Sequence, residues 1–190
     1  MQVKSTGLMA ACALLVLALP AYPGVIQLGD WQQFSFTDAG TPAAGCDPAD
    51  PLGAFCLSSS GTPSSFLDAP PWTFSSAKGI FLSVTDAFDS GDQFEIFDFG
   101  TSIGITSAFA PNVNCGDDPA VCLATAGMSS AIFLLGSGDH SITIIPTVSA
   151  GGGSAFFQAS NVPEPGTTAL LGAGLALFCV MRSKRRKETN

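Results

Sequence analysis

Positive charge is what this sequence has least of. Its 190 residues hold seven Lys and Arg, and five of these (Arg182, Lys184, Arg185, Arg186 and Lys187) crowd the carboxyl end. Between Tyr22 and Asn161 a single base, Lys78, stands against thirteen Asp and Glu. Nucleic acid is thereby excluded as a partner of that stretch, because phosphate binding relies on clustered Lys and Arg, and docking on anionic lipid is disfavoured for the same reason. Histidine occurs once, at His140, and no CxxC occurs, so a zinc site lacks its ligand set. A GxSxG turn is also missing, which leaves a serine-histidine triad without its nucleophile. His140 lies in a GSGDHS turn, where a structural role is expected. No Lys follows the glycine run Gly151 to Gly153, so it is a flexible turn and not a phosphate loop.

The apolar residues are concentrated at the two ends. Residues 1–21 carry Lys4, an uncharged apolar run from Leu8 to Leu19, and then Pro20 and Ala21. Twelve residues make a helix of about 18 Å, short against a hydrocarbon core of about 30 Å. This is the pattern of a secretory signal peptide, with cleavage expected after Ala21. Cys12 has most of its apolar run behind it, the wrong order for lipidation. At the other end, Gly166 to Met181 is uncharged and leads directly into the basic cluster at 182–190. A single transmembrane helix over 166–181 is expected, extended by snorkelling Arg and Lys, with its basic end in the cytoplasm and the preceding domain outside.

One domain, residues 22–161, remains between the ends, enough for a single core. Short alternating or aromatic runs separated by Gly, Pro and Asp predict strands at Trp31–Phe36, Trp72–Ser75, Gly79–Thr85, Gln93–Phe97, Ser102–Ser107, Ala131–Leu135, Ser141–Ile145 and Ala155–Gln158. No long helical period interrupts them. The fold class read from this is all-β, an antiparallel β-sandwich with a jelly-roll-like plan, in which Pro146 belongs at a strand end or an edge. Four cysteines fall in the exported part: Cys46, Cys56, Cys115 and Cys122. Three pairings are open in an oxidising compartment. The local one, 46 with 56 and 115 with 122, is preferred because each pair brackets a Pro-, Gly- or Asp-rich loop.

Chemistry has few candidates. Asp86, Asp89, Asp92, Glu95 and Asp98 crowd one turn around Gly91, and hard oxygen ligands suit calcium. Asp86, Asp89 and Asp92 are the candidate ligands, although EF-hand spacing is absent and a solvated acidic turn is the plainer reading. No motif requires a cofactor. Paired carboxylates would also serve glycoside hydrolysis, one as acid and the other as nucleophile or base. Trp31, Trp72 and Tyr22 are candidates for stacking on sugars, against the commoner role of aromatics in a sandwich core.

Val162, Pro163, Glu164 and Pro165 stand immediately before the apolar segment and basic end. The two prolines hold the chain extended and accessible. Together these three features closely resemble the PEP-CTERM sorting signal of Gram-negative bacteria that make extracellular polysaccharide. The resemblance covers roughly residues 162–187. It implies recognition of Pro163, Glu164 and Pro165 by an exosortase, a membrane-embedded sorting enzyme, and a chain held in the inner membrane until processed. A second resemblance, carried by VTDAFDSGDQFEIFDFGTSIGIT at 84–106 with GSGDHSITI and GGGSAFF, is to an uncharacterised β-domain of PEP-CTERM and fungal extracellular proteins. It spans roughly 72–160 and implies a fold without an established activity. The resulting expectation is a non-enzymatic cell-surface or polysaccharide-matrix protein, with extracellular polysaccharide as partner. The alternative is an exported carbohydrate-active enzyme.

Overall fold

The structure, a computed structural model, is described for residues 24–163. The expected signal peptide (1–21), Tyr22, Glu164, Pro165, the apolar segment (166–181) and the basic end (182–190) lie outside the described residues.

Among the described residues the strands are β1 (Trp31–Phe36), β2 (Cys46–Asp47), β3 (Ala54–Phe55), β4 (Ser64–Phe66), β5 (Trp72–Ser76), β6 (Ile80–Asp86), β7 (Phe88–Asp89), β8 (Gln93–Asp98), β9 (Thr101–Ile105), β10 (Asn114–Gly116), β11 (Ser130–Leu135), β12 (Gly138–Val148) and β13 (Gly153–Asn161), with one helix, α1 (Pro119–Ala124). One sheet runs β11-β6-β13-β1, with short β4 added in parallel beside β1, and the other runs β5-β12-β8-β9. Following the chain, the eight long strands cross from sheet to sheet at every step except the β8–β9 hairpin. That is the winding of a jelly roll.

Period-two alternation explains the shared core. Ile80, Leu82 and Val84 of β6 and Ala155, Phe157 and Ala159 of β13 face Phe94 and Ile96 of β8 and Ile142 and Ile144 of β12. All six residues of β1 are buried, because both faces of its sheet are covered. On the outer face Trp31 packs with Phe156 and Ala87, covered by Phe88 and by Leu123 of α1. Ser35 accepts a hydrogen bond from Ala54 N (2.9 Å) and donates to Gly45 O, which fastens the Cys46–Cys56 loop to the sheet. Gly45 is required there, since a Cβ would stand 2.1 Å from Leu67 O.

All eight expected strands are present, with ends shifted by up to three residues. Short β2, β3, β4, β7 and β10 escaped the alternation pattern because two or three residues carry no period. Pro146 lies inside β12 and not at its end. Beyond Ile142, β5 no longer pairs with β12, and the register with β8 shifts between Pro146 and Val148, so the proline occupies a local edge beside a bulge. The helix was also unanticipated. Its signal was Asp118-Pro119: the Asp118 carboxylate caps the N-terminus by accepting from Ala120 N and Val121 N, and Pro119 fills the first turn. Asp118 also accepts from Thr62 N (2.9 Å), which ties the 57–63 loop to the helix.

Both local disulfides are present, Cys46–Cys56 and Cys115–Cys122, at sequence separations of 10 and 7. Closing loops of these lengths in the unfolded chain stabilises the fold by about 2.5–3 kcal/mol each. Replacing Cys46 and Cys56 together by serine is therefore expected to lower unfolding free energy by about 3 kcal/mol in a denaturant titration. A loss below about 1 kcal/mol would show that the Asp50 carboxylate, which accepts from Gly45 N (2.8 Å) and Leu52 N (3.0 Å), holds the loop without the bond.

Candidate functional site

The acidic run does not act as a unit. Alternation and turns send its five carboxylates to different partners. Asp86 is the last residue of β6, on the core-facing row after Ile80, Leu82 and Val84, and is fully buried. Its oxygens accept from Ala87 N (2.9 Å) and Asp92 N (3.3 Å). Asp92, also buried, accepts from Ala150 N (2.9 Å) and so joins the 87–92 turn to the β12–β13 connection. Asp89 is exposed and accepts from Asn114 Nδ2 (2.7 Å) on the opposite strand, β10. Glu95 accepts from Ser102 across the β8–β9 hairpin (2.6 Å). Asp98 accepts from Ser141 N (2.9 Å) and bonds His140 Nδ1 (2.7 Å).

Asp86, Asp89 and Asp92 are thus not gathered as a ligand trio. Asp86 and Asp92 adjoin, while pairing with β10 draws Asp89 away. Among the described residues no three His, Cys, Asp or Glu side chains come together in a way that could hold a metal ion. Burial pushes the Asp86 carboxyl up to about 7, reinforced by the neighbouring Asp92 charge and opposed by the backbone donors of Ala87, Asp92 and Gly91. Asp92 is also raised, chiefly by burial.

Of the aromatics weighed for sugar stacking, both tryptophans take the commoner core role: Trp72 is fully buried and Trp31 nearly so. An exposed aromatic stands elsewhere. The β8–β9 hairpin turns through Phe99 and Gly100, with φ of 47° and 75°. A left-handed conformation is ordinary for glycine and rare for a bulky side chain. Phe99 is nevertheless 68% exposed. It lines a groove of about 480 Å³ with Thr73, Phe74, Asp139, His140 and Ser141. The hairpin is fixed there by the Asp98–His140 contact, by Phe99 N donating to Ser141 O (2.9 Å), and by stacking of His140 on Phe74 at 5.0 Å. Sequence reasoning expected a structural role for His140, which here bonds Asp98, packs against Phe74 and also lines the groove. It missed Phe99, whose signal was an aromatic directly before the glycine of a two-residue turn.

The junction with the tail is as specific as the groove. β13 lies between β6 and β1, and its last residue is Asn161. Val162 continues the line, its N–H donating to Gly79 O (2.9 Å). No spacer separates the last strand from Val162 and Pro163.

No curated protein and no solved structure matches the chain. A protein-family comparison does match its end, and that match starts on the final residue of β13. The motif marks a chain for export, for transit while membrane-anchored, and for processing by exosortase. Through residues 161–186 the chain carries the PEP-CTERM protein-sorting motif.

Proposed function

We propose that the chain is an exported cell-surface or polysaccharide-matrix protein of a Gram-negative bacterium, and that its β-domain is a non-enzymatic, glycan-associated module needing no cofactor. The sorting motif supports the destination. Phe99 supports the glycan role. An aromatic held outward in a conformation that glycine would adopt with less strain presents a flat apolar face, and Asp139, His140 and Ser141 beside it supply polar groups. What favours a binding role over hydrolysis is the burial of Asp86 and Asp92, which adjoin in the acidic turn.

The test uses Phe99→Gly in the full chain, retained on the producer's own extracellular polysaccharide. Glycine suits the turn, so the variant is expected to melt no lower than the native chain. Retention should weaken about five- to tenfold, the loss of an aromatic contact of about 1 kcal/mol. Equal retention by both chains refutes the groove, and shortening of the polysaccharide by the native chain establishes the enzymatic alternative.

A further inference from the structure

Beyond the glycan groove, one apolar surface stands at the place where the chain leaves the domain. β11 is an edge strand, and its outward residues Ile132 and Leu134 are 60% and 69% exposed. In register, Leu134 lies opposite Phe81 of β6, which in turn lies opposite Ser160 of β13. Two residues after Ser160, just past the end of β13, is Val162. A Cβ on Gly79 would meet Val162 Cγ2 at 3.4 Å and Leu134 Cδ1 at 3.9 Å, so these two side chains close over the glycine from either side. Ile132, Leu134, Phe81 and Val162 therefore form one outward apolar strip ending at the exit. Lys78, the only Lys or Arg among the described residues, precedes Gly79 in the same turn.

The chain outside the structure identifies what covers this strip. Only residues 163–165 separate Val162 from the uncharged segment at 166–181. Four Cα steps reach at most about 14 Å. If that segment spans the bilayer, the strip is held within a chain length of the hydrocarbon edge, at the depth of the headgroup layer. An acidic domain cannot use basic residues to rest on a membrane, whereas an apolar strip with one base serves a zwitterionic surface.

We infer that, before sorting, the Phe81–Ile132–Leu134–Val162 strip docks in the interfacial layer of the membrane that holds the tail. This inference rests on the tail being membrane-anchored. Docking fixes the domain's exit end against the bilayer and presents Pro163 at the height where a membrane-embedded enzyme works.

Depth-dependent quenching tests the inference. Full-length L134W and I132W chains are reconstituted into zwitterionic phosphatidylcholine vesicles with or without brominated acyl chains. Val148→Trp is the control, because β12 carries Val148 roughly 30 Å from the Gly138 end, which pairs with Ser76 beside the exit. Trp31 and Trp72 are buried and form a constant background. The added fluorescence of L134W and I132W is expected to be mostly quenched by brominated lipid and that of V148W unaffected. Chains that float with the vesicles yet show no difference between the three variants overturn docking and leave the anchor standing. Chains that remain in the aqueous fraction overturn both. Pairing of β11 with a second copy would leave all three unquenched and equally defeats the inference.

Discussion

Asp86→Asn is expected to remove most of the protein's loss of stability between pH 4 and pH 8. The folded-state carboxyl is raised from 3.8 to about 7. Well below pH 3.8 it is protonated in both folded and unfolded chains. From there to pH 7 the unfolded chain releases a proton that the folded chain keeps, so unfolding becomes easier by about 1.4 kcal/mol per pH unit, roughly 4 kcal/mol in all. Above pH 7 both forms are ionised and this contribution is flat. The stabilisation of the neutral acid is therefore fully present at acidic pH and gone by pH 8. An amide keeps an oxygen for Ala87 N but turns an NH2 toward Asp92 N, which costs about 1 kcal/mol. D86N should accordingly be about 1 kcal/mol less stable than the native chain at pH 4 and about 3 kcal/mol more stable at pH 8. Denaturant titrations across that range measure both numbers. Parallel pH profiles for the two chains would mean that Asp86 is ionised and hydrogen-bonded throughout.

The same residue shows what the sequence could and could not disclose. Asp86, Asp89 and Asp92 look equivalent in a row of letters, three acids around a glycine turn. Asp86 differs because it continues the buried row of β6, a consequence of strand phase, and Asp89 differs because β10, twenty-five residues away, pairs with β7. Phase is local: extending Ile80, Leu82 and Val84 by two residues assigns Asp86 to the core side, one residue past the strand end expected at Thr85. Pairing with β10 depends on how a disulfide-closed loop folds back over the sheet, and no local pattern encodes it. The jelly-roll winding was legible for the opposite reason, since eight amphipathic strands in one short exported domain leave few ways to bury every apolar face. The buried outer face of β1 was not, because Gln33 and Ser35 read as solvent-facing residues. Ser35 is covered by the Cys46–Cys56 loop and Gln33 bonds Ser154, while Trp31 is covered by Leu123 of α1, whose six residues are too few to show a helical period. Trp31 and Trp72 took the commoner core role, whereas Phe99 escaped notice: aromatic identity is visible in a sequence, and exposure follows from the turn that carries it.

The core itself carries the other large expected effect. Phe34→Ala should destabilise the domain by about 3–5 kcal/mol, while Phe34→Leu should change stability by less than about 1.5 kcal/mol. Phe34 is fully buried at the centre of an aromatic cluster that bridges the two sheets. Its ring stands 5.6 Å from Trp72 of β5 and 5.6 Å from Phe94 of β8, both in the facing sheet, and 6.2 Å from Phe157 beside it in β13. Trp72 and Phe157 are themselves in contact at 5.4 Å, so truncation at position 34 opens a void walled by rings that cannot collapse into it together. The Trp72 indole is moreover held by donation from its Nε1 to Asp68 O (2.9 Å), which resists its sliding inward. Leucine fills most of the space and forfeits the ring–ring terms, of which the edge-to-face contact with Phe94 is worth about 0.5–1.5 kcal/mol. Guanidinium titrations with an unchanged m value measure the two losses on one scale. If alanine and leucine prove equally mild, the two sheets close over the missing ring, and the cluster is not the rigid wedge that keeps the exposed Phe99 groove on one sheet in fixed relation to the exit at Val162 on the other.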